Sequence, residues 1–126
     1  MRTSLFPALT VDDAAGAARF YEEAFAATER SRQKTPTGQL VIEMSIAGND
    51  LLVVDENPAA FNVSPRSLHG TTVRLSLVVD DPDTTARRAI AAGATEVFPV
   101  ADQPYGMRQG RVQDPYGHHW LIGRPL

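Results

Sequence analysis

The chain contains no cysteine among its 126 residues. A disulfide framework, a thiol nucleophile and a thiolate metal site are therefore excluded. There is no run of about 20 apolar residues, the length that a membrane-spanning helix needs, and the N-terminus has no long apolar signal core. The net charge is −3 and the basic residues do not cluster. The sequence thus predicts a cytoplasmic protein that binds neither nucleic acid nor a membrane.

Several sequence motifs of common enzymes are also missing. The chain has no Gly-x-Gly-x-x-Gly fingerprint, no phosphate-binding loop and no Gly-x-Ser-x-Gly nucleophile motif. Its apolar fraction of 43% and charged fraction of 21% are those of an ordinary globular protein. A chain of this length can bury a core of its own, so we expect a single domain over residues 1–126.

The strongest pattern in the sequence is an internal repeat. The string Val11-Asp12-Asp13 follows a strand-like run, residues 5–11, and Val79-Asp80-Asp81 follows another, residues 71–79. The last aspartate of each string is an N-cap for a helix, because its carboxylate accepts the free amide protons of the first turn. Two repeats of one plan constrain the fold more strongly than local propensities do.

The periodicity completes each repeat as βαβββ. Helices are predicted over residues 14–26 and 82–92, and each ends in a similar tetrad, Ala26-Ala27-Thr28-Glu29 or Gly93-Ala94-Thr95-Glu96. Strands are predicted at 28–34, 39–46 and 51–54 in the first half and at 95–100, 109–113 and 118–122 in the second. The predicted connections are a hairpin turn at Gly48-Asn49, a loop at 101–106, the turn Asp114-Pro115-Tyr116-Gly117 and a covering segment at 56–70.

These motifs make the chain resemble the vicinal-oxygen-chelate superfamily, which includes glyoxalase I, bleomycin-resistance proteins and extradiol dioxygenases. The similarity to its PhnB-like branch rests on Ser64-Pro65-Arg66-Ser67-Leu68, Ala91-Ala92-Gly93-Ala94-Thr95, Tyr105-Gly106 and Asp114-Pro115-Tyr116-Gly117-His118. The resemblance implies an α+β fold in which two modules, about 1–57 and 71–126 with a connector at 58–70, form a curled eight-stranded mixed sheet around a cavity, with the helices outside. It also implies a homodimer, sometimes with a cavity shared between subunits.

The resemblance further implies where a metal would be held. In the enzymes of the superfamily, His, Glu or Gln ligands on the first and last strands of each half bind a divalent ion. Carried over onto the motifs of this sequence, three of these positions are Phe6, Arg74 and Leu121, and the fourth lies near Val54. None of these side chains is a metal ligand, since a guanidinium stays protonated. We therefore expect no metal cofactor at the usual site, while a divalent ion at other ligands stays open.

The histidines do not supply an alternative metal site. His118 and His119 are adjacent on a predicted strand, so they point to opposite faces, and His69 lies in the connector. By parity with Leu121, His119 faces the cavity, whereas Trp120 faces the helices. A weak metal site between His119 and Glu43 is a minor alternative, because stable sites need three or four ligands.

The same two-residue period predicts the cavity lining. It mixes apolar walls with a few polar side chains: Phe6, Ala8, Thr10, Val41, Glu43, Ser45, Thr72, Arg74, Ser76, His119 and Leu121. Such a lining suits a small organic ligand. Glu43 and Arg74 either contact this ligand or form an ion pair that merely closes the cavity. Tyr105, in the loop before the last hairpin, either stacks on a planar ligand or covers a core edge.

Two functional hypotheses follow. The first is a metal-free binder of a small organic molecule, of the bleomycin-resistance kind, which sequesters an antibiotic or an aromatic metabolite at Phe6, Glu43, Arg74, Tyr105, His119 and Leu121. The second is a lyase or isomerase that uses a metal at nonstandard ligands or the pair Glu43 and His119 as acid and base. A domain whose cavity has lost its role and which serves only association is a third alternative.

Overall fold

The computed structural model describes residues 1–126 and contains two βαβββ modules. The α+β class and the repeat are therefore confirmed. The first module consists of β1 (Ala8–Val11), α1 (Ala14–Phe25), β2 (Thr28–Lys34), β3 (Leu40–Ile46) and β4 (Asn49–Asp55). A 3₁₀ turn (Pro58–Ala60) and the one-turn helix α2 (Pro65–Leu68) follow. The second module consists of β5 (Arg74–Val78), α3 (Pro82–Ala92), β6 (Thr95–Asp102), β7 (Met107–Gln113) and β8 (His119–Pro125).

The eight strands form two four-stranded sheets of identical topology. The order is β1-β4-β3-β2 in the first sheet and β5-β8-β7-β6 in the second. In each sheet the first strand runs parallel to the last, and the other pairs are antiparallel. No hydrogen-bonded ladder joins the two sheets. Each module therefore carries its own mixed sheet.

Both long helices begin at the predicted aspartate caps. Asp13 Oδ1 accepts a hydrogen bond of 3.0 Å from the amide of Gly16, and Asp81 Oδ1 accepts one of 3.1 Å from the amide of Thr84. Pro82 occupies the first turn of α3, where a missing N–H leaves no helical bond unmade. Helix α1 ends one residue earlier than predicted, because Ala26 takes the left-handed conformation with φ 56°.

One hydrophobic core joins the modules, and α1 lies at its centre. The buried stripe of α1 packs on the apolar side chains of β3 and β4, including Ile42 and Met44. Its aromatic residues also reach the second sheet, since the rings of Tyr21 and Phe25 lie 5.4 and 4.6 Å from the ring of Trp120 on β8. We call the faces that pack against the helices the inner faces of the two sheets, and the opposite ones the outer faces.

The strand register defines the composition of the two outer faces. That of the first sheet carries Gln33, Val41, Val54, Thr10, Ser31, Glu43, Leu52, Ala8, Thr28, Ser45 and Asp50. That of the second sheet carries Thr95, Gln113, His119, Arg74, Phe98, Arg111, Leu121, Ser76, Ala101, Gln109, Gly123 and Val78. The residues predicted to line the cavity lie on these outer faces, except Phe6 and Thr72, which precede β1 and β5.

Several predicted boundaries are wrong. Residues 5–7 precede β1, because Pro7 has no N–H with which to extend the ladder. Residues 71–73 likewise precede β5, whereas residues 101–102 belong to β6. The first hairpin turns at Ala47-Gly48, whose φ angles of 49° and 84° are those of a tight hairpin turn, rather than at Gly48-Asn49. None of the helices is long and apolar enough to cross a membrane.

Candidate ligand-binding site

The outer face of the second sheet carries a group of nitrogen donors. Arg74 on β5 and Gln113 on β7 flank His119 in register, and Arg111 lies one step along β7, beside Leu121. Nε of Arg111 donates a hydrogen bond of 2.9 Å to Nδ1 of His119. We call Arg74, Arg111 and His119 the basic cluster.

Burial and the contact with Arg111 together favour the neutral form of His119. Burial lowers the pKa of the imidazole, and the nearby positive charge of Arg111 lowers it further. The ring is therefore neutral at pH 7. Because its Nδ1 accepts a hydrogen bond, its Nε2 carries the proton. His119 thus offers a bound molecule a hydrogen-bond donor.

The arginines of the cluster have no acidic partner. Four other arginines of the chain pair with carboxylates: Arg30 with Asp50 at 2.7 Å, Arg32 with Glu29 at 2.9 Å, Arg66 with Asp12 at 3.4 Å, and Arg108 with Asp83 and Asp102 at 2.7 and 3.0 Å. Arg74 and Arg111 form no such pair, and the outer face of the second sheet bears no aspartate or glutamate. Its positive charge is therefore not neutralised within the chain.

Apolar and aromatic side chains surround the basic cluster. Phe98, Arg111, Leu121 and Ser76 form one row across the four strands, and Phe98 is 58% exposed. Tyr105 lies at the turn between β6 and β7, is 64% exposed, and donates a hydrogen bond of 2.7 Å from its hydroxyl to Oε1 of Gln109. This face thus offers both donors and apolar contact area to one molecule.

Glu43 lies on the other sheet, apart from the basic cluster. It is half-buried on β3 between Ser31 and Leu52, and its carboxylate accepts a hydrogen bond of 3.2 Å from the hydroxyl of Ser31. The ion pair considered between Glu43 and Arg74 does not form within the chain, and no hydrogen bond links Glu43 to His119. The acid–base pair of the second hypothesis is therefore not assembled in one chain.

Phe6 is also separate from the cluster. It precedes β1, is 44% exposed, and lines an N-terminal cleft with Leu5, Gly48 and Asn49. Val54 stays on the outer face of the first sheet, on the strand next to Val41. Among the predicted site residues, Arg74, His119 and Leu121 are brought together, and Tyr105 lies at the far end of the same face.

The residues present do not fit a divalent metal. No group of three or more His, Cys, Asp or Glu side chains converges anywhere in the structure. The four positions implied by the resemblance hold Phe6, Val54, Arg74 and Leu121, whose side chains lack a suitable lone pair.

The connector adds residues that sequence reasoning missed. A cleft of about 500 Å³ is lined by Pro65, Arg66, His69, Gly70, Gln113, Gly117 and His119. Ser64 caps α2 by accepting a hydrogen bond of 3.2 Å from the amide of Ser67, and Arg66 Nη1 donates one of 3.2 Å to the carbonyl of Pro115. The Ser64-Pro65 pair was the available signal, since Ser at the cap and Pro in the first turn mark a helix start.

A second cleft lies at the seam between the modules. Its volume is about 360 Å³, and its walls come from the hairpin of β3 and β4 and from β5. Most of its lining is apolar and includes Ile46, Leu51, Leu75, Leu77 and Trp120. None of the three residues of the basic cluster lines it.

The paired βαβββ modules and the two outer faces define an α+β protein of the glyoxalase type. The chain belongs to the glyoxalase-like domain family of the vicinal-oxygen-chelate superfamily, whose family model matches residues 8–122. An uncharacterized protein of Mycobacterium tuberculosis strain H37Rv is 42% identical over 127 residues, which cover 98% of this chain and 75% of that protein. A Mycobacterium bovis protein is equally similar and is covered to 84%.

Solved structures agree with this assignment. TioX from Micromonospora sp. ML1 superposes with a TM-score of 0.75 at 27% identity, over 99% of this chain and 100% of that one. The fosfomycin resistance protein FosX from Listeria monocytogenes, complexed with Mn(II) and a sulfate ion, superposes with a TM-score of 0.74 at 18% identity, over 100% of this chain and 95% of that one. At that identity the likeness to FosX concerns the fold alone.

Proposed function

We propose that this protein binds a small organic molecule on the outer face of its second sheet and holds it without a metal. The observation that carries this proposal is the basic cluster, in which unpaired guanidinium groups and the Nε2–H of His119 lie beside Leu121 and Phe98. A few oriented donors set among apolar side chains are the usual composition of a small-molecule site. Sequestration of an antibiotic or aromatic metabolite in the cytoplasm, and membership of the PhnB-like branch, are the finer parts of this proposal.

The proposed binding unit is a homodimer. A single chain leaves both outer faces open, and each lacks what the other offers: Glu43 has no cationic partner on the first, while Arg74 and Arg111 have no anionic partner on the second. Apposing the first outer face of one copy with the second outer face of the other encloses the ligand. It also brings charges of opposite sign together.

Thermal stabilisation by a panel of planar organic compounds tests the binding proposal. A ligand that binds only the native state stabilises it by about 2.7 kcal/mol at a concentration of 100 Kd. We expect at least one compound to raise Tm, and Arg74→Ala or Tyr105→Ala to weaken that effect, whereas Arg124→Ala, on the inner side of β8, leaves it unchanged. A panel without any stabilising compound would remove the support for this function.

The enzyme hypothesis predicts turnover of the ligand or retention of a metal ion. If Glu43 of one copy serves as acid or base beside His119 of another, the protein turns over its ligand, and Glu43→Gln abolishes turnover while retaining binding. If a metal is required, protein offered manganese, iron, nickel or zinc and then desalted retains close to one ion per chain. Either result would overturn the binding proposal in favour of the enzyme.

A further inference from the structure

We propose that the ligand of the second outer face is an oxyanion, a molecule whose carboxylate or phosphate group is held by Arg74, Arg111 and the Nε2–H of His119. This inference rests on the binding function proposed above and narrows it to a class of ligand.

The first argument is the absence of a counter-charge. Arg111 is half-buried, and its only protein partner is Nδ1 of His119, so its terminal Nη groups have no acceptor in the chain. Arg74 stands beside His119 on the neighbouring strand and likewise makes no hydrogen bond or ion pair. A partly buried guanidinium normally has a carboxylate partner. The half-buried Arg111, with the exposed Arg74 near it on a face without any acidic residue, is therefore matched to an anion from outside the chain.

The second argument is the orientation of the donors. The hydrogen bond from Arg111 Nε consumes the acceptor of His119 and leaves its Nε2–H as a donor. The cluster then presents only N–H groups: the guanidinium of Arg74, the Nη groups of Arg111 and the Nε2–H of His119. Planar guanidinium forks suit carboxylate and phosphate oxygens, which accept two parallel hydrogen bonds. A neutral ligand with donors of its own would leave several of these N–H groups unpaired.

The third argument concerns the rest of the ligand. Leu121 and Phe98 lie in the same row as Arg111, and Tyr105 lies beyond it on the same face. On the other side of His119, the cleft of the connector adds Arg66 and His69. An anionic head at the cluster thus has an apolar surface on one side, which indicates an aromatic or aliphatic body attached to the oxyanion.

Glu43 of a partner copy is the competing counter-ion. It brings one negative charge to two arginines, so one positive charge of the cluster is left without a counter-charge even in a dimer. If it occupies the cluster in the absence of ligand, anion binding must compete with it. In that case Glu43→Gln strengthens anion binding. The variant therefore shows whether the carboxylate of the partner copy or a ligand anion occupies the cluster.

Matched pairs of small molecules test the inference. Benzoate and benzamide share a ring and differ in charge, and phenyl phosphate and inorganic phosphate share a head group and differ in the presence of the ring. Binding is measured by calorimetry and by the rise of Tm, with ionic strength held constant by chloride. We expect benzoate or phenyl phosphate to bind at least about 10-fold more tightly than benzamide, because charge-assisted hydrogen bonds are worth this much or more.

The variants locate the site. Arg111→Gln and Arg74→Gln each weaken anion binding by about 10-fold or more, whereas Arg124→Gln, an unpaired arginine on the inner side of the same sheet, does not. Arg111 also orients His119, so a second readout is needed if that variant loses stability. In the wild-type protein, a bound anion raises the pKa of the His119 imidazole, followed by NMR, because a negative charge then offsets the positive charge of Arg111.

The outcomes distinguish the two proposals. Benzamide binding as tightly as benzoate, with no effect of Arg74→Gln, overturns the oxyanion inference and leaves the binding function standing. An equal loss in Arg124→Gln shows a nonspecific charge effect and also overturns it. Failure of every compound, charged or neutral, contradicts both. A preference for phenyl phosphate over benzoate, or the reverse, assigns the head group.

Discussion

At the scale of single residues, Asp114 connects the closing hairpin to the core. The sequence predicted it as the first residue of a turn, and its Oδ1 indeed accepts the amides of Tyr116 and His118 at 2.9 and 3.0 Å. Its Oδ2 also accepts the hydroxyl of Tyr21 at 2.5 Å and the indole N–H of Trp120 at 2.9 Å. This 3% exposed carboxylate therefore joins a turn, a strand and the central helix.

Removal of this carboxylate is expected to destabilise the protein strongly. Asp114→Ala leaves four donors without an acceptor, two of them on buried side chains, and is expected to lower the free energy of unfolding in urea by at least about 3 kcal/mol. Tyr21→Phe removes one of these bonds and is expected to cost about 1.5–3 kcal/mol. Asp102→Ala, at an exposed ion pair with Arg108, serves as the control and should cost far less. Equal losses for Asp114 and Asp102 would contradict the role of the network.

The sequence predicted residue faces better than residue partners. The two-residue period of β8 correctly placed Trp120 in the core and His119 and Leu121 on the opposite side, because strand parity is a local property. The contact of Arg111 with His119 and the approach of His69 to the same cleft were not predicted. These depend on the pairing register and on the path of the connector, which are set by packing between distant segments rather than by periodicity.

At the scale of elements, the two modules share the way their long helices begin but differ in the residue that ends each helix. Both long helices begin at an aspartate cap and end with a residue of positive φ, Ala26 at 56° after α1 and Gly93 at 126° after α3. Glycine adopts such angles without a steric penalty, whereas an L-residue pays for them. The first repeat therefore carries a cost at its helix end that the second avoids.

This difference predicts opposite effects for the same substitution. Ala26 is exposed and loses no packing, so Ala26→Gly is expected to raise the free energy of unfolding by about 0.5–1 kcal/mol. Ala91→Gly, at an exposed position in the last turn of α3, is the matched control and is expected to lower it by about 0.5–1 kcal/mol. Both changes are to be measured by urea denaturation, and a loss of stability in Ala26→Gly would show that the helix end is not strained.

The repeat also explains why the fold was more predictable than the site. The caps, helices and turns are encoded locally and occur twice, so the pattern in each half supported the same secondary-structure prediction for the other half. The expected lining was assigned to one cavity, but its members lie on two outer faces that do not meet within a chain: Glu43 is on the first, and Arg74 and His119 are on the second. Face parity cannot determine how two sheets are placed relative to each other.

At the scale of the whole molecule, α1 occupies the space between the sheets. Its contacts with Trp120 on one side and with Met44 on the other hold the inner faces around a common core. Both outer faces are left open, and their half-buried and exposed apolar residues include Leu52, Leu121, Phe98 and Val78. Apolar area of this kind on both faces favours association with a second copy.

The proposed dimer makes charge reversal at Glu43 informative. Glu43→Arg places a positive charge against Arg74 and Arg111 of the other copy, so we expect sedimentation equilibrium to show a dimer weakened by at least about 10-fold. Glu22→Arg, an exposed change of the same charge on α1, should leave the dimer intact. If Glu43→Arg associates as strongly as the wild type, the outer faces do not meet. The ligand would then lie on the second sheet of a single chain, a site open to solvent along one side.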